Sequence, residues 1–426
     1  MIDDLCCVRK HIICGKKFLS LTEMYQKAKD KDCIRQNIAI LGSTGSIGCQ
    51  TLDTVSAYPE MFNVSVLTAG HNVELLSRQA ARFRPERVVI AHPKSRDQFE
   101  LFKRDMAMLG IKAECGSDAI SDAMTDENTD IVVTATVGYS GLMPTLCAIR
   151  AGKTIALANK ETLVVAGDIV TREKDRYGVD IIPVDSEHSA IYQCLQGEDI
   201  DTVERLWITA SGGPFRNIDS SKIAMMKASD ALQHPNWNMG AKITVDSATM
   251  INKSFEIIEA RWLFGISGNR IKAIVHPQSI VHSMVEYKDG ALKAQLGVPD
   301  MHLPIRYALA GGIRLNLPSA EKRLTVSDLS RLTFEEPDTD RFPGIKFGHY
   351  ALEYGGNTAC VINAANEIAV EAFLNDCIGF TDIVNVIEKT LEKADYVASP
   401  TLDDYVASNE QARSIAKELI GVYDKV

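Results

Sequence analysis

The stretch Asn37-Ile38-Ala39-Ile40-Leu41-Gly42-Ser43-Thr44-Gly45-Ser46-Ile47-Gly48 decides the fold. Its first five residues form an apolar run of the kind that makes a buried strand. A loop with three glycines follows at once, and an amphipathic run at 50–58 comes next. Strand, glycine loop and helix in direct succession are the setting a dinucleotide-binding turn requires. The glycines permit a tight turn and close approach of a pyrophosphate, and the free N–H groups at the helix start suit that anion. The spacing is G-x-x-G-x-x-G rather than G-x-G-x-x-G, so a glycine-rich turn without ligand stays open on this stretch alone.

Working outward, the runs at 62–70, 87–91, 130–135, 154–158 and 179–182 read as further strands with helical patterns between them. That alternation predicts a parallel, doubly wound sheet. The second strand ends in Gly70-His71-Asn72, where such a fold meets an adenosine ribose. No acid stands there before Glu74 to take a 2′-hydroxyl, and His71 and Asn72 suit a 2′-phosphate better, which favours NADP. The strand at 154–158 runs into Asn159-Lys160-Glu161, candidates for cofactor or substrate contact and equally for a surface salt bridge.

A second stretch, Pro183-Val184-Asp185-Ser186-Glu187-His188-Ser189-Ala190, follows the apolar run at 179–182. That strand carries its acids to the carboxyl end, where open α/β sheets place ligands. Side chains two apart on an extended chain point the same way, so Asp185 and Glu187 are expected to share one hard cation. The plain alternative is a solvated acidic turn.

Further on, Trp207-Ile208-Thr209 leads into Ser211-Gly212-Gly213, whose exposed amides suit an anion. The segment His234-Pro235-Asn236-Trp237-Asn238-Met239-Gly240 reads as a loop that closes over a ligand, or as a packed loop anchored by its Trp. A helix is expected through Leu263 with Asp246 or Ser247 as its N-cap. Ile251, Phe255, Ile258 and Trp262 form its core stripe, and Asn252, Lys253 and Glu256 share a neighbouring face. Alone, that face reads as a surface Lys–Glu pair. Taken together, Ser211, Ser247, Asn252 and Lys253 make a phosphate pocket, with Glu256 as a third carboxylate beside Asp185 and Glu187. His276 and His282, in a strand-like run at 274–287, are assigned to packing or supporting roles. After a turn-rich arm at 311–343, helical patterns at 345–354, 358–375, 381–395 and 402–422 predict a small four-helix bundle.

The chain has 426 residues, enough for two or three domains, and a net charge of -10. That charge argues against nucleic acid or an anionic membrane as the main partner, but not against a small phosphorylated ligand in a local positive pocket. No apolar run approaches the ~18–20 residues that span a bilayer. The ten cysteines are dispersed and form no C-x-x-C pair, which fits a reducing cytoplasm and disfavours a zinc knuckle. Residues 1–34 lack a basic start before an apolar core and are read as a non-conforming extension or an early start codon.

The chain closely resembles the 1-deoxy-D-xylulose 5-phosphate reductoisomerase family. The resemblance rests on GSTGSIG at 42–48, LANKE at 157–161, PVDSEHSAI at 183–191, SGGPFR at 211–216, HPNWNMG at 234–240, VDSATMINK at 245–253, EARWLF at 259–264 and HPQSIVHSM at 276–284. These motifs cover nearly the whole chain after Gln36 in one order. The resemblance implies an NADPH-dependent rearrangement and reduction of 1-deoxy-D-xylulose 5-phosphate to 2-C-methyl-D-erythritol 4-phosphate, in non-mevalonate isoprenoid biosynthesis. It implies a Rossmann-like sheet at 35–185, a central α+β catalytic unit at 186–310 with a mobile loop at 234–240, the arm at 311–343, a helical unit at 344–426, and a homodimer.

Residue by residue, the resemblance assigns Thr44, Gly45, Ser46 and Ile47 to the NADPH phosphates, and Gly70, His71 and Asn72 to the adenosine end. Asn159, Glu161 and Gly240 complete the cofactor site. Asp185, Glu187 and Glu256 bind one divalent cation, and their oxygen-only set favours Mg²⁺ or Mn²⁺. Lys160, Ser186, Glu187, Ser211, His234, Ser247, Asn252, Lys253 and Glu256 contact the phosphorylated sugar substrate, with Lys160, Asp185, Glu187, His234 and Glu256 in the chemistry. Two departures stand out. Many members carry Lys or Arg where His71 stands, and the leading extension has no counterpart in typical bacterial members. The expected compartment is therefore the cytoplasm, with an organelle left open. Two alternatives remain at this level: another two-domain NADP-dependent sugar or semialdehyde dehydrogenase, which needs no three-carboxylate site, and a non-catalytic nucleotide-binding regulator.

Overall fold

The computed structural model describes residues 35–232, 237, 239–319 and 321–423. The extension at 1–34 and most of the 234–240 segment, His234 included, lie outside the described residues. Seven strands form the first sheet: β1 (Gln36–Leu41), β2 (Phe62–Ala69), β3 (Arg87–Ile90), β4 (Lys112–Cys115), β5 (Ile131–Thr134), β6 (Thr154–Leu157) and β7 (Ile181–Pro183). Their order is β4-β3-β2-β1-β5-β6-β7, and every pairing is parallel. Along β1, Ile38 and Ile40 join one apolar cluster while Ala39 and Leu41 join another. A strand buried on both faces needs the continuous apolar run that the sequence carries there. The winding reverses between β1 and β5, so the glycine loop after β1 lies at the switch point, where such sheets bind ligands.

One strand of this sheet departs from expectation. β4 was not foreseen because only Ala113 of its four residues is buried. An edge strand with a charged Lys and Glu shows no apolar run.

The second sheet contains β8 (Val203–Ala210), β9 (Ile271–Val275), β10 (Val281–Tyr287) and β11 (Leu292–Leu296), in the order β11-β10-β8-β9. β8 and β9 are parallel, and β10 is antiparallel to β8 and β11. The strand-like run at 274–287 therefore divides in two, with Ser279 at φ 52° in the turn between. The expected helix through Leu263 divides as well. Ala241–Ala248 is one helix and Ile251–Phe264 another, separated by Met250 at φ 63°. Neither Asp246 nor Ser247 is an N-cap: both lie inside the first helix, and Asp246 is buried against Lys242 and Asn366. The core stripe holds, with Ile251, Phe255 and Ile258 buried and Trp262 packed against the same cluster.

Four helices close the chain, Lys346–Tyr354, Thr358–Leu374, Asp382–Lys393 and Leu402–Tyr423, on the ranges their periodicity predicts. No helix among the described residues is long and apolar enough to cross a membrane.

The glycine loop has little room. Gly42 has φ 90°, and a Cβ on Gly48 would sit 2.4 Å from the carbonyl oxygen of Gly42 and 2.5 Å from Cα of Ser43. Both obstacles are backbone, so neither can rotate away. Gly48→Ala is expected to lower unfolding stability by about 1–3 kcal/mol, read by denaturant titration. An unchanged midpoint would show that the loop relaxes freely.

Candidate functional site

The site forms where β6 and β7 end side by side. Lys160 follows β6, and Asp185 follows β7. Asp185 is not on extended chain. It caps helix Ser186–Cys194, its side chain accepting from the backbone N–H of Glu187 at 3.3 Å. Glu187 thus lies in the first helical turn. The alternation argument that paired these acids does not apply, and the helix start brings them together instead. Helix Ile251–Phe264 faces them with Asn252, Lys253 and Glu256. That helix packs on Glu161–Tyr177 so closely that a Cβ on Gly167 would meet the Trp262 ring at 2.2 Å. Helix Glu161–Tyr177 starts directly after Lys160, so this contact joins the two elements that flank the acids.

Carboxylate oxygens of Asp185, Glu187 and Glu256 lie within 4.8 Å of one another. Two ammonium groups sit among them. Lys160 Nζ donates to Asn252 Oδ1 at 2.9 Å and Glu256 Oε1 at 3.0 Å, and pairs with Asp185. Lys253 Nζ lies 3.4 Å from Glu187 Oε1 and also donates to Glu256 and to the carbonyl of Thr209. Lys253 was expected in a phosphate pocket; its ammonium is instead engaged by the acids. Ser186 Oγ donates to Glu187 Oε2 at 2.6 Å. Ser211 and Ser247 lie on packed elements: a Cβ on Gly213 would lie 2.6 Å from the carbonyl oxygen of Ser247, so the 211–213 turn rests on helix Ala241–Ala248.

The charges shift accordingly. Burial alone would raise the Asp185 carboxyl, but Lys160 and His188 hold it well below its usual range. Burial pushes Glu187 up to about 8, and the neighbouring Glu256 and Asp185 add to this against Lys253. Burial opposes the charge on Lys160, yet Asp185 and Glu256 keep it firmly protonated.

Of the other predicted residues, those of the glycine loop, the 70–72 turn and Asn159 and Glu161 follow strand ends of the first sheet. Thr44, Gly45, Ser46 and Ile47 form the turn into helix Ser46–Ala57, with Gly45 as N-cap. Gly70 and His71 are exposed after β2, with His71 tilted against His92 at 5.1 Å. The Asn72 side chain caps helix Val73–Phe83. Asn159 is buried and spends its amide on the carbonyls of Thr136 and Gly138 and on Glu161. Glu161 also accepts from Lys242 at 3.0 Å. Both are braces between strand ends, with their polar atoms already used. Gly240 is exposed and starts helix Ala241–Ala248. Trp237 lies 6.0 Å from the His282 ring. His276 is buried against Phe334 and shares a hydrogen bond with the Thr333 carbonyl at 2.8 Å, in keeping with a packing role.

Two residues in the cluster went unremarked in sequence. His188 and Glu259 are fully buried behind Asp185. The available signal was spacing alone: His188 is three residues beyond Asp185, and Glu259 three beyond Glu256.

An oxygen-only donor set of three acids, balanced by two displaceable ammonium groups, fits a hard divalent cation. A glycine cradle at the switch point of a parallel sheet fits a dinucleotide. Together they define the class: a dinucleotide-fold oxidoreductase with a buried carboxylate cluster of cation-binding chemistry.

Comparison narrows the class. Family models described as 1-deoxy-D-xylulose 5-phosphate reductoisomerase, its C-terminal domain and the DXP reductoisomerase C-terminal domain match residues 38–167, 181–264 and 296–415. The chain is 50% identical over 386 residues to the Bacteroides thetaiotaomicron reductoisomerase, covering 91% of this chain and 98% of that one. It is 50% identical over 387 residues to the Porphyromonas gingivalis protein of the same name, covering 91% and 99%. Among solved structures, it matches the Zymomonas mobilis reductoisomerase in complex with NADPH at TM-score 0.83 and 42% identity, covering 91% and 99% of the two chains. It also matches a DOX-P reductoisomerase in complex with NADPH, fosmidomycin and magnesium at TM-score 0.84 and 38% identity, covering 91% and 98%. The chain belongs to the 1-deoxy-D-xylulose 5-phosphate reductoisomerase family.

Burial pushes Glu187 up to about 8, so a cation that used this carboxylate would displace its proton. Mn²⁺ affinity is expected to rise with pH, by up to about tenfold per unit below that point, and to level off above it. Calorimetric titration at pH 6.5 and 8.5 checks this, and equal affinities would contradict it.

Proposed function

We propose that the chain is the NADPH-dependent enzyme that rearranges and reduces 1-deoxy-D-xylulose 5-phosphate to 2-C-methyl-D-erythritol 4-phosphate, with a divalent cation at Asp185, Glu187 and Glu256. The observation that carries this reading is the convergence of those three carboxylates within 4.8 Å at the carboxyl ends of β6 and β7. It is supported by 50% identity over nearly the full length of relatives bearing that name.

When bound, Mg²⁺ or Mn²⁺ supplies Lewis-acid stabilisation of charge on the substrate oxygens during rearrangement. NADPH supplies the hydride that reduces the resulting aldehyde. The chain's own residues hold and orient. Thr44, Gly45, Ser46 and Ile47 present backbone amides and a helix start to the cofactor phosphates. Gly70, His71 and Asn72 receive the adenosine end. Asn159 and Glu161 shape the floor between strand ends, and Gly240 borders it. Ser211, Ser247 and Asn252 anchor the substrate phosphate, whose remote binding energy positions the reacting end. Lys253 joins them once Glu187 and Glu256 have another positive partner, because its ammonium is otherwise held by those acids. Lys160 and Ser186 contact the reacting end. His234 belongs to the same group by the family motif and lies outside the described residues.

The division into a cofactor unit at 35–185, a catalytic unit at 186–310, an arm at 311–343 and a helical unit at 344–426 is part of the same proposal. So are a cytoplasmic location and a homodimer. The dimer is supported by β11, an edge strand on which Leu292 and Leu296 are exposed.

NADPH oxidation by the purified chain tests the reading. It is expected only when 1-deoxy-D-xylulose 5-phosphate and Mg²⁺ are both present, to stop with EDTA, and to return with added Mg²⁺. Turnover that persists in EDTA would favour a metal-independent sugar dehydrogenase. Glu256→Gln is expected to lower kcat by about 10³-fold or more, roughly 4 kcal/mol of transition-state stabilisation, with little loss of NADPH affinity. Near-normal turnover in saturating Mg²⁺ would remove Glu256 from the site.

A further inference from the structure

Behind the three acids lies a buried group that the reading above leaves unused. Glu259 stands one turn beyond Glu256 on helix Ile251–Phe264, with a side chain 0% exposed. Neither of its carboxylate oxygens completes a hydrogen bond, and neither does Nδ1 of His188. Yet Nδ1 lies 3.3 Å from Glu259 Oε2 and 3.6 Å from Asp185 Oδ1. The other ring nitrogen, Nε2, is 2.8 Å from the carbonyl oxygen of Glu256. A carbonyl only accepts, so Nε2 carries hydrogen and the ring is fixed. Nδ1 then faces two carboxylates. A bare lone pair there would repel both, so a proton is shared between Nδ1 and one of the two acids.

We infer that Glu259 is a positioning residue: it draws the Nδ1–H of His188 toward itself and so keeps the imidazole from taking over the Asp185 carboxylate, whose Oδ1 caps the helix at Glu187 and whose Oδ2 faces Lys160 and the other acids. The inference rests on the assignment of Asp185, Glu187 and Glu256 to that cation. Without Glu259, the imidazole would turn its hydrogen bond fully onto Asp185 and compete with the ion. Outer partners of this kind set how strongly a ligand binds its metal. Atoms of Asp185, His188 and Glu259 also lie within 4.8 Å of one another, the geometry of a second ion site. The positioning role is preferred because His188 and Glu259 have no exposed surface, whereas the Glu187 side chain keeps 17%.

The test is direct calorimetric titration of the full chain with Mn²⁺, without substrate. Glu259→Gln is expected to weaken Mn²⁺ binding about 10–100-fold while leaving NADPH affinity and one ion per chain unchanged. Because Glu259 acts through His188, the double variant with His188→Gln is expected to bind no more weakly than His188→Gln alone. Unchanged Mn²⁺ affinity in Glu259→Gln, or losses that add in the double variant, would overturn the inference. Two ions in the native chain falling to one in Glu259→Gln would overturn it in favour of a second metal site. If Glu259→Gln does not fold, Glu259→Asp takes its place, with an intermediate loss expected and native affinity overturning the inference. Glu256→Gln separates the two levels: Mn²⁺ binding that survives it contradicts the parent assignment, not the role of Glu259.

Discussion

Three carboxyl groups cannot all stay ionised in one buried space unless positive charge sits among them. Two oxygens about 4 Å apart repel by about 4 kcal/mol at an effective dielectric of about 20. In this chain Lys160 and Lys253 fill that need, each reaching two of the three acids. The arrangement is poised, because the same oxygens can take a divalent cation only by giving up ammonium partners. Glu187 records the tension most clearly, since burial, with Glu256 and Asp185 beside it, pushes its carboxyl up to about 8.

The fold is arranged to hold that balance. Lys160 and Asp185 come from adjacent parallel strand ends, so the sheet fixes their separation. Glu256 and Lys253 come from a helix clamped on two sides. Gly167 admits the Trp262 ring on one, and Ser254 Oγ bonds to the carbonyls of Gly344 and Ile345 on the other. A second ionic chain ties the C-terminal helices to the same region: Asn366 donates to Asp246, which pairs with Lys242, which pairs with Glu161 beside Lys160. Helix Thr358–Leu374, far from the chemistry in sequence, thus bears on the region where Lys160 stands.

Local periodicity made much of this legible in advance. The run Ile38–Ile40 and its glycine loop announce a buried strand and a turn because both signals lie within a dozen residues. The terminal helices were readable for the same reason. β4 was not, since an edge strand with two charges carries no apolar run. The break at Met250 was hidden because a left-handed residue other than glycine leaves little mark in sequence. The meeting of Asp185 with Glu187 was anticipated for the wrong reason, as strand alternation instead of a capped helix start. His188 and Glu259 stood inside recognised motifs, yet only the packing of two helices reveals that they face each other behind Asp185.

The most direct measurement of the central claim is the anomalous scattering of Mn²⁺ in crystals of this chain. The account predicts one ion coordinated by an oxygen from each of Asp185, Glu187 and Glu256 at about 2.0–2.3 Å, with the ammonium groups of Lys160 and Lys253 moved off those oxygens. An ion bound elsewhere, with both lysines still seated among the three acids, would contradict it.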